Sequence, residues 1–356
     1  MYQVIFSVDY EIHGNGDGSP FDLMIQPTKR MVDLFEKYDA KLTIFADVAE
    51  ILKFKEYYNV NGYDKFHYIE IEKQLKYLVK NGHDVQLHIH SSYFNAKYEN
   101  KKWEQNWDDY NLAELPKARI KKIINECKDY LENTLSSINP DYKCNIFRAA
   151  NWSMMPSYNI ISVLEELGFI IDSSVYKYGK RKGRVNYNYS SAKSDLIPWF
   201  INKNNINESD NEGKILEVPI YSENKSFLSF ITPIRLFRMV RAKFHQHKTF
   251  PQNNEKQKDE TKKNNFLRKL MKNFTNKHAW KLDFNQANST MLISACKRIE
   301  SKYNGLDIDL PIVCIGHSKT FIKYNEFTLL PFIKFIKNSK NYQFSLYRDI
   351  NRDSFK

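Results

Sequence analysis

The sequence has few cysteines and no long hydrophobic run. Its four cysteines, Cys127, Cys144, Cys296 and Cys314, lie far apart and show no C-x-x-C spacing. This spacing argues against a zinc-cysteine site and against a disulfide framework. No stretch approaches the length of a membrane-spanning helix, and the opening residues, MYQVIFSVDY, lack the basic leader and apolar run of a secretory signal. We therefore expect a cytoplasmic protein.

The positive charge of the chain is concentrated in one segment, in which acidic residues are scarce. The formal net charge is +12, and residues 235–277 contain thirteen Lys or Arg against three acidic residues. Without this segment the chain is close to neutral, so a nucleic-acid-binding domain loses its main support. Residues 245–279 are rich in Lys, Asn and Gln and show no apolar period before position 266. We predict a basic, partly disordered insertion at about 225–280.

The start of this insertion has a different pattern. Residues 227–244, FLSFITPIRLFRMVRAKF, place Phe230, Ile234, Phe237 and Arg241 at helical spacing, with further basic residues around them. An amphipathic helix of this kind is typical of proteins that dock on anionic lipid. It predicts peripheral contact of residues 227–277 with the inner face of the membrane. The alternative is that the apolar face packs on the domain and the lysines only keep a loop solvated.

Outside the insertion, strand and helix signals alternate. Apolar runs rich in β-branched and aromatic residues predict strands at 2–9, 41–47, 83–90, 144–150, 169–174, 215–221, 311–317 and 342–349. Amphipathic spacing predicts helices at 28–38, 70–81, 116–135 and 157–167. This order predicts a mainly parallel α/β sheet, either doubly wound or closed into a barrel. We treat residues 1–356 as one domain that the insertion interrupts.

Ionisable residues stand at the carboxyl ends of the predicted strands. Because parallel α/β folds form their active sites at these ends, we expect the side chains to meet at one mouth. A single strand-end Asp is more often a helix cap, but here five strands share the feature. The residues concerned are Asp9, Glu11, His88, His90, Arg148, Asp172 and His317.

Two of the histidines flank a single isoleucine in HDVQLHIH, residues 83–90. Side chains two apart on a strand point to the same face, so His88 and His90 are placed to bind one metal ion together. The alternative is that only His88 binds and His90 lies at the rim. His83 begins the strand at the opposite end and is interpreted as structural, and His13 as a rim residue.

The residues and the order of these motifs resemble those of the polysaccharide deacetylase family, also called the NodB homology domain. FSVDYE is similar to the family's D-x-D/E motif, NGHDVQLHIH to its G-H-E-x-x-x-H segment, and FRAANWS to its arginine motif. GFIIDSS is similar to the D-S-S motif and CIGHSKTF to the final histidine motif. The resemblance covers residues 1 to about 175 and resumes at LEVPIY and PIVCIGHSKTF. It implies a distorted (β/α) barrel of metal-dependent carbohydrate esterases.

The resemblance also implies the catalytic roles. Asp9 is expected to be the general base, and Arg148 to keep Asp9 ionised and oriented through a charge-assisted pair. His317 is expected to be the general acid for the leaving amine. Asp172 is expected to orient His317 and to support its charged form.

A divalent metal ion is implied in the same way, with Glu11 and His88 as ligands. The sequence departs from the family at the third ligand, because the common H-T-x-x-H pattern would place a histidine where Ser92 stands. His90 is the natural substitute. This ligand set suits Zn²⁺ and would also accept Co²⁺, Ni²⁺ or Mn²⁺.

The implied activity is removal of N-acetyl, or O-acetyl, groups from an amino-sugar polysaccharide or its lipid-linked precursor. Asn151 and Trp152 are expected to line a sugar subsite, with packing of the barrel as the alternative for Trp152. Two other functions stay open. One is a glycosidase that uses Asp9 and Asp172 as its carboxylate pair. The other is a catalytically inactive glycan-binding homologue, which the serine at position 92 favours.

Overall fold

A computed structural model of the protein describes residues 1–226 and 277–356. The candidate amphipathic helix at 227–244, and nearly all of the predicted insertion, lie outside these residues. None of the helices in the two described ranges combines the length and the hydrophobicity needed to cross a bilayer. All four cysteines fall within the described ranges and are buried free thiols.

The strands are numbered in chain order. They are β1 (Tyr2–Tyr10), β2 (Thr43–Asp47), β3 (Asp84–Ile89), β4 (Lys97–Glu99), β5 (Lys102–Glu104), β6 (Ile146–Ala149), β7 (Ile171–Asp172), β8 (Lys180–Arg181), β9 (Tyr187–Asn188), β10 (Trp199–Asn202), β11 (Asn205–Ser209), β12 (Leu216–Glu217), β13 (Ser222–Ser226), β14 (Lys277–Lys281), β15 (Leu310–His317) and β16 (Tyr342–Ser345). Ten of them form one sheet in the order β11-β10-β12-β7-β6-β3-β2-β1-β15, with β16 paired to β1. The other six form three two-stranded hairpins.

This sheet curls into a barrel. Its neighbours are parallel from β15 through β1, β2, β3, β6 and β7 to β12, and only β10 and β11 add antiparallel pairs. A parallel bridge between Ile220 and Val313 joins the chain just beyond β12 back to β15. The predicted distorted (β/α) barrel is therefore confirmed.

The helices cover the outside of the curled sheet. They are α1 (Gln26–Glu36), α2 (Val48–Asn61), α3 (Tyr68–Lys80), α4 (Lys117–Leu135), α5 (Ser157–Glu166), α6 (Ser289–Tyr303) and α7 (Lys323–Lys337). The four predicted helices correspond to α1, α3, α4 and α5. Gly82, with φ of 82°, follows α3 in the left-handed conformation that glycine adopts without strain.

Side chains of β1 alternate between two buried layers. Val4, Phe6 and Val8 pack in the larger cluster, which includes the apolar faces of the helices. Ile5 packs instead in a smaller cluster with Val313 and residues from β2, β6, β7 and β12. Because strands from around the sheet supply this smaller cluster, it is the interior of the barrel. Every second residue of β1 after Ile5 therefore points into the barrel.

Candidate active site

The inward positions of β1 change from apolar to charged toward its carboxyl end. Ile5 is followed on this face by Ser7, Asp9 and Glu11, all buried. Asp9 lies opposite His317 in the β1–β15 pairing. The same alternation therefore places apolar side chains in the lower part of the barrel and two carboxylates at its mouth, where the carboxyl ends of the strands lie.

Glu11, His88 and His90 converge at this mouth. One ligand atom from each lies within 4.8 Å of the others, and all three residues are buried. Glu11 Oε2 is 2.6 Å from His90 Nε2 and 3.6 Å from His88 Nε2. The two imidazoles meet on one side of β3 because Ile89 between them points to the opposite face.

The chemistry of these groups fits a divalent metal ion. Glu11 Oε2 is buried and accepts no hydrogen bond in favourable geometry from the described residues, although both imidazoles face it. His88 Nδ1 lies 2.9 Å from the carbonyl oxygen of Arg148, which can only accept, so Nδ1 carries the proton and Nε2 is left as the donor atom for a metal. A carboxylate and two imidazoles are a common set of protein ligands in catalytic zinc sites.

Lys319 contacts the other oxygen of Glu11 and was not identified from the sequence. Its Nζ lies 2.7 Å from Glu11 Oε1 and donates to the carbonyl oxygen of Ile12 at 3.1 Å. Burial acts to raise the pKa of Glu11, but Lys319 and the imidazoles outweigh burial and hold it well below its usual value. Glu11 is therefore ionised and turned so that Oε2 faces the two histidines.

Asp9 is held by Arg148 at the floor of the site. Arg148 Nη1 donates to Asp9 Oδ1 at 2.9 Å, and the fully buried guanidinium also donates to Ser7, Ser173 and Tyr347. Burial acts to raise the pKa of Asp9, but the charges of Arg148 and of the nearby imidazoles outweigh it and the pKa is lowered. Asp9 is thus an ionised carboxylate of fixed orientation, as a general base must be.

His317 faces Asp9 across the mouth. Its Nε2 lies 3.5 Å from Asp9 Oδ2 and 4.0 Å from Glu11 Oε1. Asn285 Oδ1 accepts a hydrogen bond from the His317 backbone N–H at 2.7 Å, which fixes the end of β15. Burial lowers the pKa of His317, so its imidazole is neutral before any proton is delivered to it.

The structure does not place Asp172 beside His317. Ile171 packs in the barrel interior and Ser173 contacts Arg148, so Asp172 between them points to the opposite face of the sheet. There it accepts hydrogen bonds from Ser174 and lies against Glu217, its partner in the β7–β12 pairing. Asp172 therefore does not orient His317, and it belongs to a buried acidic pair outside the barrel interior.

Trp152 lies at the mouth, whereas Asn151 is turned aside. The two follow β6 in a short turn, and both have positive φ angles. The Trp152 ring lies edge to face with the His317 ring, with centroids 6.2 Å apart. Asn151 Oδ1 accepts hydrogen bonds from Tyr110 and Arg181. Trp152 thus borders the mouth beside His317, while Asn151 fixes the rim behind it.

The remaining histidine candidates and Ser92 do not supply a ligand. Ser92 Oγ is buried and donates to Gln105 at 2.8 Å. His83 lies at the opposite end of β3, where Nδ1 accepts a hydrogen bond from Leu42 N–H. His13 is exposed. His90 is therefore the second imidazole of the candidate site, because Ser92 stands where the H-T-x-x-H pattern would have its second histidine.

Two further buried carboxylates lie behind the histidines and were not predicted from the sequence. Asp47 ends β2 opposite His88, and its Oδ1 accepts a hydrogen bond from the His90 backbone N–H at 3.1 Å. Glu50 Oε2 accepts from the Ile12 backbone N–H at 3.1 Å. They anchor the two chain segments that carry the candidate ligands. The signal for Asp47 was its place at a strand end, the same feature that identified Asp9.

Comparison with known families agrees with this geometry. The family model for polysaccharide deacetylase matches residues 18–169. This region is a polysaccharide deacetylase domain. The matched range contains His88, His90 and Arg148, and the resemblance seen in the sequence motifs is thereby confirmed. The match indicates a hydrolase of the deacetylase type, which acts on amide bonds.

Solved structures share the fold of this chain at low sequence identity. A Mycobacterium smegmatis protein assigned to the polysaccharide deacetylases has 12% identity and a TM-score of 0.50, over 97% of this chain and 87% of that one. A 4-alpha-glucanotransferase from Thermococcus litoralis has 14% identity and a TM-score of 0.52, over 98% of this chain and 39% of that one. A GH57 branching enzyme from Thermococcus kodakaraensis has 10% identity and a TM-score of 0.50, over 98% and 70%.

At these identities the likeness concerns the fold alone. The three neighbours carry out different reactions by their names, so the barrel does not by itself decide between deacetylation and glycosyl chemistry. No curated protein matches the sequence. The reaction must be argued from the side chains at the mouth.

Proposed function

We propose that the protein is a metal-dependent deacetylase that removes N-acetyl groups from an amino-sugar glycan or its lipid-linked precursor in the cytoplasm. The observation that carries the proposal is the convergence of Glu11, His88 and His90 beside an ionised Asp9. A metal bound there would polarise the acyl carbonyl and lower the pKa of water, and Zn²⁺ suits the ligands best, with Co²⁺, Ni²⁺ and Mn²⁺ as other candidates.

Two protein side chains, Asp9 and His317, then carry out the proton transfers. Asp9 removes a proton from the attacking water, while a C–O bond forms at the acyl carbon. His317 Nε2 lies 3.5 Å from Asp9 Oδ2, so the proton can pass to the neutral imidazole and from there to the nitrogen. The C–N bond then breaks, and the amine and acetate leave. The same groups would cleave an O-acetyl ester, although an alkoxide needs the proton less than an amine does.

The glycosidase alternative loses its carboxylate pair. A glycosidase needs two carboxyl groups that face one cleavage point. Asp172, the partner that the sequence offered, points to the outer face of the sheet and lies against Glu217. The histidines would also have no role in that reaction. We therefore do not propose glycosidase activity.

Metal removal tests the proposed function. We expect purified protein to contain about one divalent metal ion per chain and to release acetate from oligomers of N-acetylglucosamine. Dialysis against a chelator should remove most of this activity, and Zn²⁺ or Co²⁺ should restore it. Unchanged acetate release by metal-free protein would contradict metal dependence. Protein with neither metal nor acetate release would instead be an inactive glycan-binding homologue.

Membrane contact is a separate part of the proposal and rests on sequence composition. The basic residues at 235–277 and the apolar spacing at 227–244 support docking on anionic lipid, where a lipid-linked substrate would be met. We expect the protein to sediment with anionic liposomes at low salt and less strongly at physiological salt. A variant with residues 235–276 replaced by a short Gly-Ser linker should stay in the supernatant. Absence of sedimentation even at low salt would refute membrane contact.

A further inference from the structure

A basic pocket of about 370 Å³ opens beside the candidate active site. Among the described residues, its lining combines lysines with tyrosines and includes no Asp or Glu side chain. The lining residues are Tyr176, Tyr178, Gly179, Lys180, Ser190, Asn224, Lys277, His278, Ala279 and Lys281.

Two walls distant in sequence form this pocket. One wall is the segment 176–180, which is hydrogen-bonded to the backbone of Tyr189. Tyr178 N–H donates to Tyr189 O at 3.1 Å, and Tyr189 N–H donates to Gly179 O at 2.7 Å. The wall packs closely, because a Cβ added to Gly179 would come within 2.4 Å of the Tyr176 ring. The other wall is the β13–β14 hairpin, in which Asn224 and Ala279 are paired on the pocket side.

The acidic residue of this hairpin faces away from the pocket. Glu223 precedes Asn224 on β13 and therefore points to the opposite side of the hairpin. There it forms a two-point contact with the guanidinium of Arg298, at 2.9 and 3.0 Å. The carboxylate closest in sequence to the pocket is thus engaged elsewhere, and the described part of the chain gives the positively charged pocket no acidic lining residue.

The pocket adjoins the catalytic mouth through contacts of Lys281. Lys281 Nζ lies 4.1 Å from the centre of the Trp152 ring and 4.6 Å from that of Tyr176. The Trp152 ring also lies edge to face with the His317 ring, with centroids 6.2 Å apart. A glycan that contacts Trp152 with its acetyl group at the catalytic residues would therefore extend past Lys281 into the pocket.

We propose that this pocket binds an oxyanion, a phosphate or a carboxylate, carried by the glycan next to the sugar that is deacetylated. The proposal rests on the proposed function, because that function places the acetylated sugar at Asp9 and His317. It narrows the substrate to an anionic glycan. Lysine ammonium groups pair with phosphate and carboxylate oxygens, and the tyrosine rings offer flat surfaces to the sugar that carries them.

Substrate preference tests the pocket. The probes are an N-acetylglucosamine tetramer, the same tetramer with a terminal phosphate, and the same tetramer ending in a uronate. We expect the wild-type protein to favour at least one anionic probe by about tenfold in kcat/KM, the effect of roughly one charge-assisted contact. The preference should shrink as salt is added, since the lysines are reached by solvent.

Variants identify where the anion binds. The K180S/K277S variant changes two lysines that do not contact Trp152, and K180S/K277S/K281M removes the third. We expect the anionic preference to fall in the first variant and to vanish in the second. The matched control K143S/K297S/K334S removes three exposed lysines that do not line the pocket and should keep the full preference. A preference that persists in the triple pocket variant would overturn the proposal.

Calorimetric binding of the three probes separates this proposal from the proposed function. If no probe releases acetate but an anionic probe binds about tenfold tighter than the neutral one, and only with the lysines present, the pocket assignment holds and the deacetylase proposal fails. Equal affinity of wild-type protein for all three probes, with normal acetate release, overturns the pocket alone. A preference for phosphate only, or for uronate only, supports the pocket and names the anion.

Discussion

Replacing Asp9 by asparagine should lower kcat for acetate release by roughly 10²- to 10⁴-fold, the usual contribution of a general base, while the metal stays bound. The amide that replaces the carboxylate cannot take up the proton of the attacking water. It can still accept the hydrogen bond from Arg148 that Asp9 Oδ1 receives at 2.9 Å, so the side chain should keep its place. Acetate release under saturating substrate and elemental analysis of the same preparation measure the two expected results.

The control for this variant must remove an Arg148 contact without removing the base. Ser7→Ala does so, since Ser7 Oγ lies 2.9 Å from Arg148 Nη2. We expect this variant to lose far less activity than Asp9→Asn, because the guanidinium keeps Ser173 and Tyr347 as acceptors. Thermal unfolding of both variants shows whether the uncompensated charge of Arg148 affects stability. Undiminished turnover in a folded Asp9→Asn protein would refute the role of Asp9.

His88→Ala and His90→Ala should each purify with little or no bound metal. Either substitution removes one of three protein donor atoms, so the loss of affinity should exceed the ~10–100-fold that follows loss of an outer partner of a ligand. Burial acts to lower the pKa of His88, but Glu11 and Asp9 outweigh it and raise the pKa to about 9. At this pKa the His88 imidazole also carries a proton on Nε2 at neutral pH, and a metal ion must displace that proton to bind. Metal occupancy of the wild-type site should therefore fall as the pH is lowered. Metal content per chain, measured after dialysis at several pH values, checks both expectations.

Ser92→Ala is the matched control for the two histidine variants. Ser92 stands where the H-T-x-x-H pattern has its second histidine, and its hydroxyl group donates to Gln105 rather than facing Glu11. The variant should keep its full metal content. Full occupancy in His90→Ala would mean that His90 lies at the rim and that another group completes the site. Full occupancy in His88→Ala would show that the metal binds elsewhere.

The sequence predicted which β1 and β3 side chains share a face, because a strand alternates its side chains with a period of two. Asp9 and Glu11 are two apart, as are His88 and His90, and each pair points into the barrel together. The same rule could not place Asp172. Ile171 and Ser173, its neighbours in the chain, could occupy either face, and only the packing of Ile171 in the barrel interior and the contact of Ser173 with Arg148 show that Asp172 points outward.

Contacts between segments far apart in the chain were decided by the tertiary structure alone. Lys319 follows the end of β15 in a short turn, where no strand period predicts its direction, and it reaches Glu11 from 308 residues away in sequence. The basic pocket arises because the β13–β14 hairpin is laid against the segment 176–180. Sequence spacing fixes the direction of a side chain within one strand. Which strands and turns become neighbours depends on how the curled sheet closes, and closure is a property of the whole barrel.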